Sequence, residues 1–183
     1  MADSDAELIV AVRAGSVDAV ATLIRRHWGR CHRLAYLIVG DVAAAEDVTQ
    51  EAILSAIDAL DGFDEGRPLE PWLHRIVANE AMDWLRRQAR TPTLVADPDG
   101  FRSVEAGPEV PDALGGDLLD EVRRLRPEYR IGIVLRYVLD YTPAEIGRAL
   151  DVPAPTVRTR LRRALGELRR AIEREEDSRA VAP

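Results

Sequence analysis

Residues 141–170 read YTPAEIGRALDVPAPTVRTRLRRALGELRR, and this pattern sets the fold class. Thr142-Pro143-Ala144-Glu145 has the form of a capping box, with proline at the first helical position and a glutamate able to reach back to the cap. A short helix over 142–150 follows, then a tight turn at Leu150-Asp151-Val152, then a second helix over 153–174. Two helices joined across so short a turn form a helix-turn-helix. At about 100° per residue, Val157, Leu161, Ala164, Leu165, Leu168 and Ile172 fall on one stripe. Thr159, Arg162, Arg163 and Arg170 project from the opposite face, with Arg158 and Arg160 on its flanks. An apolar back and an arginine front suit a helix seated in the major groove, fixed at the rear and offering forks to phosphates and guanine edges. The alternative is a solvated arginine face. Residues 153–172 hold six arginines and one acid, which favours DNA.

Immediately upstream, helices are expected over 117–125 and, opening at Pro127, over 127–140. Downstream, residues 175–183 are polar and read as a fraying tail. Residues 91–116 carry Pro92, Pro98, Pro108 and Pro111 with Gly100, Gly107, Gly115 and Gly116, and show no sustained periodicity. A loop of that length is unusual inside one compact domain, so this stretch reads as an interdomain linker. Residues 1–90 read as four more helices. Asp3 or Ser4 caps the first, which ends at Gly15, and Ser16 opens the second, which Gly40 stops. The second helix places Val17, Val20, Leu23, Ile24, Trp28, Cys31, Leu34 and Leu37 near helical spacing. Asp41 caps the third, which runs to about Leu60, and after a loop from Gly62 to Pro71 the fourth runs to Arg90. Strand-like alternation is absent. The expectation is an all-α chain of two small helical domains joined by a flexible linker.

Composition narrows the function classes. The 183 residues are 46% apolar and 31% charged, enough for real cores and too apolar for a disordered chain. A single cysteine excludes a disulfide framework or a four-cysteine zinc module. No apolar run approaches the roughly 18–20 residues that span a bilayer. The start, Met1-Ala-Asp-Ser-Asp-Ala-Glu7, lacks the basic opening of a signal peptide. A soluble cytoplasmic protein without membrane insertion is expected. The net charge of −7 argues against a nucleic-acid binder, but it is unevenly spread: −5 over 1–90, −4 over 91–116, +2 over 117–183 and +5 within 153–172. Screening confines a charge's field to about 10 Å, so the local balance decides. All 25 basic residues are arginine, a planar fork suited to phosphate and guanine.

Two further helices carry surfaces of interest. In the fourth, Trp72, Leu73, Ile76, Val77 and Trp84 make an apolar side, while Arg75, Asn79, Arg86 and Arg90 line a separate stripe that admits Asp83. Asparagine beside arginine is a usable base-reading surface, and Phe63 in the preceding loop offers a ring for stacking. An ordinary surface explains the stripe equally well. Glu80 falls inside the apolar side, as a buried ion pair or through a shift of helix phase. In the third helix the core stripe is Val42, Ala45, Val48, Ala52, Ala56 and Leu60. Opposite it lie Asp47, Gln50, Glu51 and Asp58, with Leu54 exposed among them. Acids around an exposed leucine suit docking to a basic protein, although on the wheel alone a solvated face with one stray leucine is the commoner explanation.

Other constellations fall short of chemistry. His27 and Cys31 have i, i+4 ligand spacing beside His32, but no second pair lies near and Cys31 belongs to the core stripe, so no metal is expected. The sequence shows no phosphate-binding glycine loop, nucleophile elbow or HExxH, and apart from Glu80 no carboxylate stands isolated in an apolar run. Neither an enzyme nor a cofactor is expected.

Together, Ala45-Glu-Asp-Val-Thr-Gln-Glu-Ala52, Trp72-Leu-His-Arg-Ile-Val-Ala-Asn79 running on to Asp83-Trp-Leu-Arg-Arg87, the linker and the helix-turn-helix resemble the extracytoplasmic-function (group IV) sigma factors of the sigma-70 family. The resemblance covers nearly the whole chain in the family's order. It implies a region 2 domain over 1–90 and a region 4 domain over 117–174 that bind core RNA polymerase and direct it to promoters. It further implies that Asp47, Gln50 and Glu51, with Leu54, engage the clamp helices of the polymerase β′ subunit. The loop from Phe63 to Pro71 and the helix through Arg75, Asn79, Arg86 and Arg87 would then melt the −10 element and hold a flipped base. Thr156, Arg158, Thr159, Arg162 and Arg163 would read the −35 element as duplex, beside the polymerase β flap. Family members are often held inactive by an anti-sigma factor, so a separate inhibitor is expected.

Several residues depart from the family's pattern. Asp151 fills a turn position usually given to glycine, and aspartate tolerates a left-handed backbone. Gly147 stands where a small alanine is usual, at a cost to the helix of up to ~1 kcal/mol. Ile53 and Ile57 replace frequent aromatics, and Arg67-Pro68-Leu69-Glu70 is unusual enough that the −10 preference does not transfer. The alternative function is a stand-alone helix-turn-helix regulator with the N-terminal helices as a dimerisation or ligand domain.

Overall fold

The computed structural model describes residues 4–90 and 116–181, with side chains placed over 4–89 and 118–174. All regular structure among the described residues is helical, in two compact units that divide between Pro108 and Glu109. The expected linker lies outside the described residues, except that Gly116 opens a helix.

The first unit contains α1 (Asp5–Arg13), α2 (Val17–Val39), α3 (Val42–Ala59), a single 3-10 turn (Leu60–Gly62) and α4 (Leu69–Arg90). Local chemistry fixes the starts. Ser4 and Glu7 form a reciprocal box, the Glu7 N–H donating to Ser4 Oγ at 3.2 Å and the Ser4 N–H to Glu7 Oε2 at 2.6 Å. Ser16 and Asp41 accept from the backbone N–H of Ala19 and Ala44, and Gly40 ends α2 in the left-handed region at φ 85°. α4 begins at Leu69, before the expected Pro71, because proline in a first turn gives up an N–H that had no helical partner.

Helices α2, α3 and α4 pack on one another, and α1 lies on α2 and touches the 3-10 turn. Where the three helices pack, Leu34, Leu37 and Ile38 of α2, a run of small residues on α3 (Ala45, Ala52 and Ala56) and Leu73, Val77 and Ala81 of α4 are all buried. Thr49 joins this core because its hydroxyl donates to the Ala45 carbonyl at 2.6 Å. Val17, expected in the α2 stripe, is 78% exposed; Ala19 is buried in its place, and Leu23 is buried as expected. The buried His27 has its partner at hand. His27 Nε2 lies 3.1 Å from Asp5 Oδ2, and Arg26 donates to Asp5 Oδ1 at 2.7 Å, tying α1 to α2. Burial works to raise the Asp5 pKa, but the hydrogen bonds from Arg26 and His27 outweigh it and hold the carboxyl below its usual range.

The second unit contains α5 (Gly116–Arg124), α6 (Pro127–Tyr137), α7 (Pro143–Leu150) and α8 (Ala154–Val181), with α8 packed against the other three. α6 is the central helix, with Ile131, Ile133, Val134 and Leu135 buried. The buried Arg130 donates to the carbonyls of Arg123 and Leu125, satisfying the C-terminal end of α5. Burial, then the charge of Arg123, pulls its pKa down to about 10. α6 ends three residues before the expected 140, and Asp140 turns the chain at φ 56°. In α8 the buried stripe is Val157, Leu161, Ala164, Leu168 and Ala171. Leu165 and Ile172, expected on it, are 44% and 39% exposed, because the alternating spacing of four and three leaves them one residue past the covered side. α8 also continues through the expected tail as far as Val181.

Candidate protein and nucleic-acid interfaces

The outer face of α3 carries Asp47, Gln50, Glu51 and Asp58, all exposed, around Leu54, which is 52% exposed. None of the three carboxylates has an ion-pair partner among the described residues. Asp47 and Glu51, at i and i+4, repel mildly within the helix. The packed alanine side of α3 fixes this face from behind. The result is an apolar knob in an uncompensated negative field.

On α4, Arg75, Asn79, Arg86 and Arg87 are all exposed. Residues 75, 79, 83 and 86 follow one side of the helix, and Arg86 holds Asp83 at 3.0 Å, which accounts for the acid in the stripe. Glu80 is part-buried and accepts from Ser55 Oγ at 3.3 Å, a cross-helix hydrogen bond in place of the expected ion pair or phase shift.

Phe63 is corrected by the structure. It is 6% exposed and its ring packs on Trp72, centroids 5.0 Å apart at 53°, so it is a core residue in place of the exposed stacking platform expected. The exposed tip of the loop is Asp64 to Pro68, where Gly66 donates to Asp64 Oδ1 at 3.0 Å and Arg67 pairs with Asp64 at 3.2 Å. Arg13 of α1, which the sequence reading passed over, holds the entry to this loop. Its Nη2 donates to the carbonyls of Leu60 at 2.9 Å, Asp61 at 3.3 Å and Phe63 at 2.7 Å, while Nη1 reaches the Glu65 carboxylate. A basic residue at a helix end is common, and only the folded chain shows what it reaches.

In the second unit, the Thr142 N–H donates to Glu145 Oε2 at 2.7 Å and the Glu145 N–H to Thr142 Oγ1 at 3.3 Å, the expected box. The Thr142 hydroxyl, donating to Glu145 Oε2 at 2.7 Å, and then the Thr142 N–H hold the Glu145 carboxyl below its usual range. Asp151 adopts φ 52°, ψ 47°, the expected left-handed turn. A Cβ on Gly147 would stand 2.6 Å from the Val152 carbonyl oxygen, and the Val152 N–H donates to the Gly147 carbonyl at 2.9 Å. The glycine is a steric requirement of this turn. Beyond it, α8 exposes Arg158, Thr159, Arg162 and Arg163, with Thr156 half-buried. The Thr159 hydroxyl donates to the Pro155 carbonyl at 3.0 Å, leaving oxygen lone pairs outward.

The His27 and Cys31 pair has no metal-site geometry: among the described residues no group of three histidine, cysteine or acidic side chains is placed to hold an ion. Burial, then the Glu70 charge, pushes the Cys31 thiol up to about 12. Among the described residues no helix is long and apolar enough to cross a membrane.

Comparison with known proteins matches residues 23–91 to Sigma-70 region 2 and residues 116–168 to Sigma-70, region 4. Both halves therefore define one class, the sigma-70 type transcription factors. The chain is 30% identical over 173 residues to the ECF RNA polymerase sigma factor SigW of Bacillus subtilis, covering 88% of this chain and 92% of that protein. It is 35% identical over 169 residues to the ECF RNA polymerase sigma factor SigM of Mycobacterium tuberculosis, covering 92% and 85%. In fold it is similar to CnrH, solved in complex with the cytosolic domain of CnrY, with TM-score 0.64 and 24% identity over 93% of this chain and 98% of that one. A second likeness is to the sigma factor RpoE of Bartonella quintana, solved with the anti-sigma factor NepR, with TM-score 0.63 and 19% identity over 86% and 98%. The chain belongs to the extracytoplasmic-function (ECF) RNA polymerase sigma factors. It binds core RNA polymerase and directs transcription initiation at promoters; the stand-alone regulator is not favoured.

Proposed function

We propose that the two units divide this work. Residues 1–90 act as region 2 and 117–174 as region 4, with 91–116 as an acidic linker and 175–183 as a polar tail; the matched ranges, 23–91 and 116–168, support the two inner bounds. Asp47, Gln50, Glu51 and Leu54 dock on the β′ clamp helices. The observation that carries this is the exposed leucine ringed by carboxylates on a helix held rigid from behind. Arg75, Asn79, Arg86 and Arg87 engage the melted −10 element, where unstacking a base costs a few kcal/mol that captured base edges return. Thr156, Arg158, Thr159, Arg162 and Arg163 face the −35 duplex, next to the β flap. Phe63 serves the −10 surface from within, by fixing the loop against Trp72.

The chain works in the cytoplasm and performs no catalysis; the polymerase does the chemistry. A separate anti-sigma factor covers its polymerase-binding surface, a reading supported by the partner in the RpoE complex. The test is Asp47→Arg with Glu51→Arg. Placing two cations against a basic partner is expected to weaken core-polymerase binding at least ~10-fold, with the melting temperature unchanged. Undiminished polymerase binding would instead support a regulator that acts without the clamp.

A further inference from the structure

Three described glycines lie inside helices of the second unit, and Gly147 alone of them has a steric reason within its own fold. A Cβ on Gly132 would meet Leu161 Cδ2 at 3.5 Å, and one on Gly147 would collide with the Val152 carbonyl. A Cβ on Gly166 would meet nothing within 4 Å. Glycine inside a helix weakens it relative to alanine, and among the described residues no neighbour requires it at 166.

Its surroundings supply a reason from outside. Arg162 and Arg163 lie one turn before Gly166, and Arg169 and Arg170 one turn after, all four exposed and without ion pairs among the described residues. Positions three and four apart are nearest neighbours on a helix surface. Four guanidinium stems therefore frame a patch of bare backbone.

We propose that this patch is a seat for the phosphodiester backbone of duplex DNA, a contact of α8 additional to its base-facing residues. It rests on the reading of α8 as the −35 helix. From Arg158 to Arg170 the helix rises about 18 Å, more than the roughly 12 Å width of the major groove. A helix whose first turns lie in the groove thus carries Arg169 and Arg170 to its edge, over the phosphates of one strand. Gly166 removes the side chain that would hold those phosphates off, and the arginines supply charge-assisted hydrogen bonds. An acidic protein would also meet four arginines, but a narrow phosphate ridge is what a notch one residue wide admits.

The test uses holoenzyme assembled from the full chain and core polymerase, on a promoter duplex mapped by transcription, titrated between about 50 and 200 mM salt. Gly166→Ala is expected to raise the melting temperature of the free chain and yet weaken promoter binding about fivefold or more, as loss of well-placed phosphate contacts does. Gly29→Ala, equally open within α2, supplies the control and is expected to stabilise without altering DNA affinity. Arg169→Ala with Arg170→Ala should weaken binding equally on intact and scrambled −35 sequences, and reduce the slope of log affinity against log salt by about 2. An unchanged slope, or Gly166→Ala with full affinity, overturns the proposal. So does a loss of core-polymerase affinity at unchanged slope, which would assign the patch to an acidic protein surface. Arg158→Ala with Thr159→Ala, a pair outside the four arginines of the seat, separates the two levels. If it leaves promoter binding intact, the −35 reading itself has failed; if it abolishes binding while Arg169→Ala with Arg170→Ala does not weaken it, only the seat has.

Discussion

Gly147 and Asp151 close the same turn from opposite ends, and substitutions at the two should move stability in opposite directions. Alanine at 147 would gain up to ~1 kcal/mol of helix propensity. It would also press a methyl group against a backbone oxygen 2.6 Å away that no rotamer change can move. Overpacking of this kind costs about 1–3 kcal/mol, so a net loss of ~1–2 kcal/mol in the second unit is expected for Gly147→Ala. Asp151→Gly should gain up to ~1 kcal/mol by relieving the left-handed backbone. Calorimetric melts of the two variants check the signs, and a stabilised Gly147→Ala would contradict the turn geometry. The left-handed Asp151 was legible because aspartate's tolerance is local. The steric need at Gly147 was not, since the atom it avoids arrives from the far side of the turn. Phe63 shows the same limit: a loop aromatic reads as exposed until Trp72, nine residues on, is known to cover it.

At the scale of elements, helix starts were the most legible feature. Ser4, Ser16, Asp41 and Thr142 each cap a helix through atoms within three residues of themselves. The core phase of long helices was less so. Leu165 and Ile172 are as apolar as Leu161 and Leu168, and which of them is covered depends on where α5 to α7 lie against α8. Arg13 is the clearest case of a link between elements. Its guanidinium gathers three carbonyls and a carboxylate around the loop that leads into α4. Arg13→Ala should therefore accelerate amide exchange over residues 60–67 at least several-fold while the core of α2, α3 and α4 keeps its protection. Unchanged exchange in that segment would show that α1 does not hold the loop.

At the scale of the whole molecule, the charge map and the family agree. A chain of net charge −7 whose densest positive stretch is a single helix face is poorly drawn to DNA alone, and its partner must bring it there. The acidic face of α3 and the arginine face of α8 belong to separate compact units, as the proposed division between gripping the enzyme and meeting duplex requires. That division was readable from composition alone, because proline, glycine and acid crowd into 91–116 while the helical periodicity falls on either side. The most direct test is transcription of genomic DNA by purified core polymerase with and without this chain, with start sites mapped and duplex binding by the free chain measured alongside. The account predicts stable association with core at low salt, new starts that share one pair of upstream elements, and little duplex binding without polymerase. A core enzyme whose start sites are unchanged by the chain, or a free chain that binds those promoters tightly by itself, would contradict it.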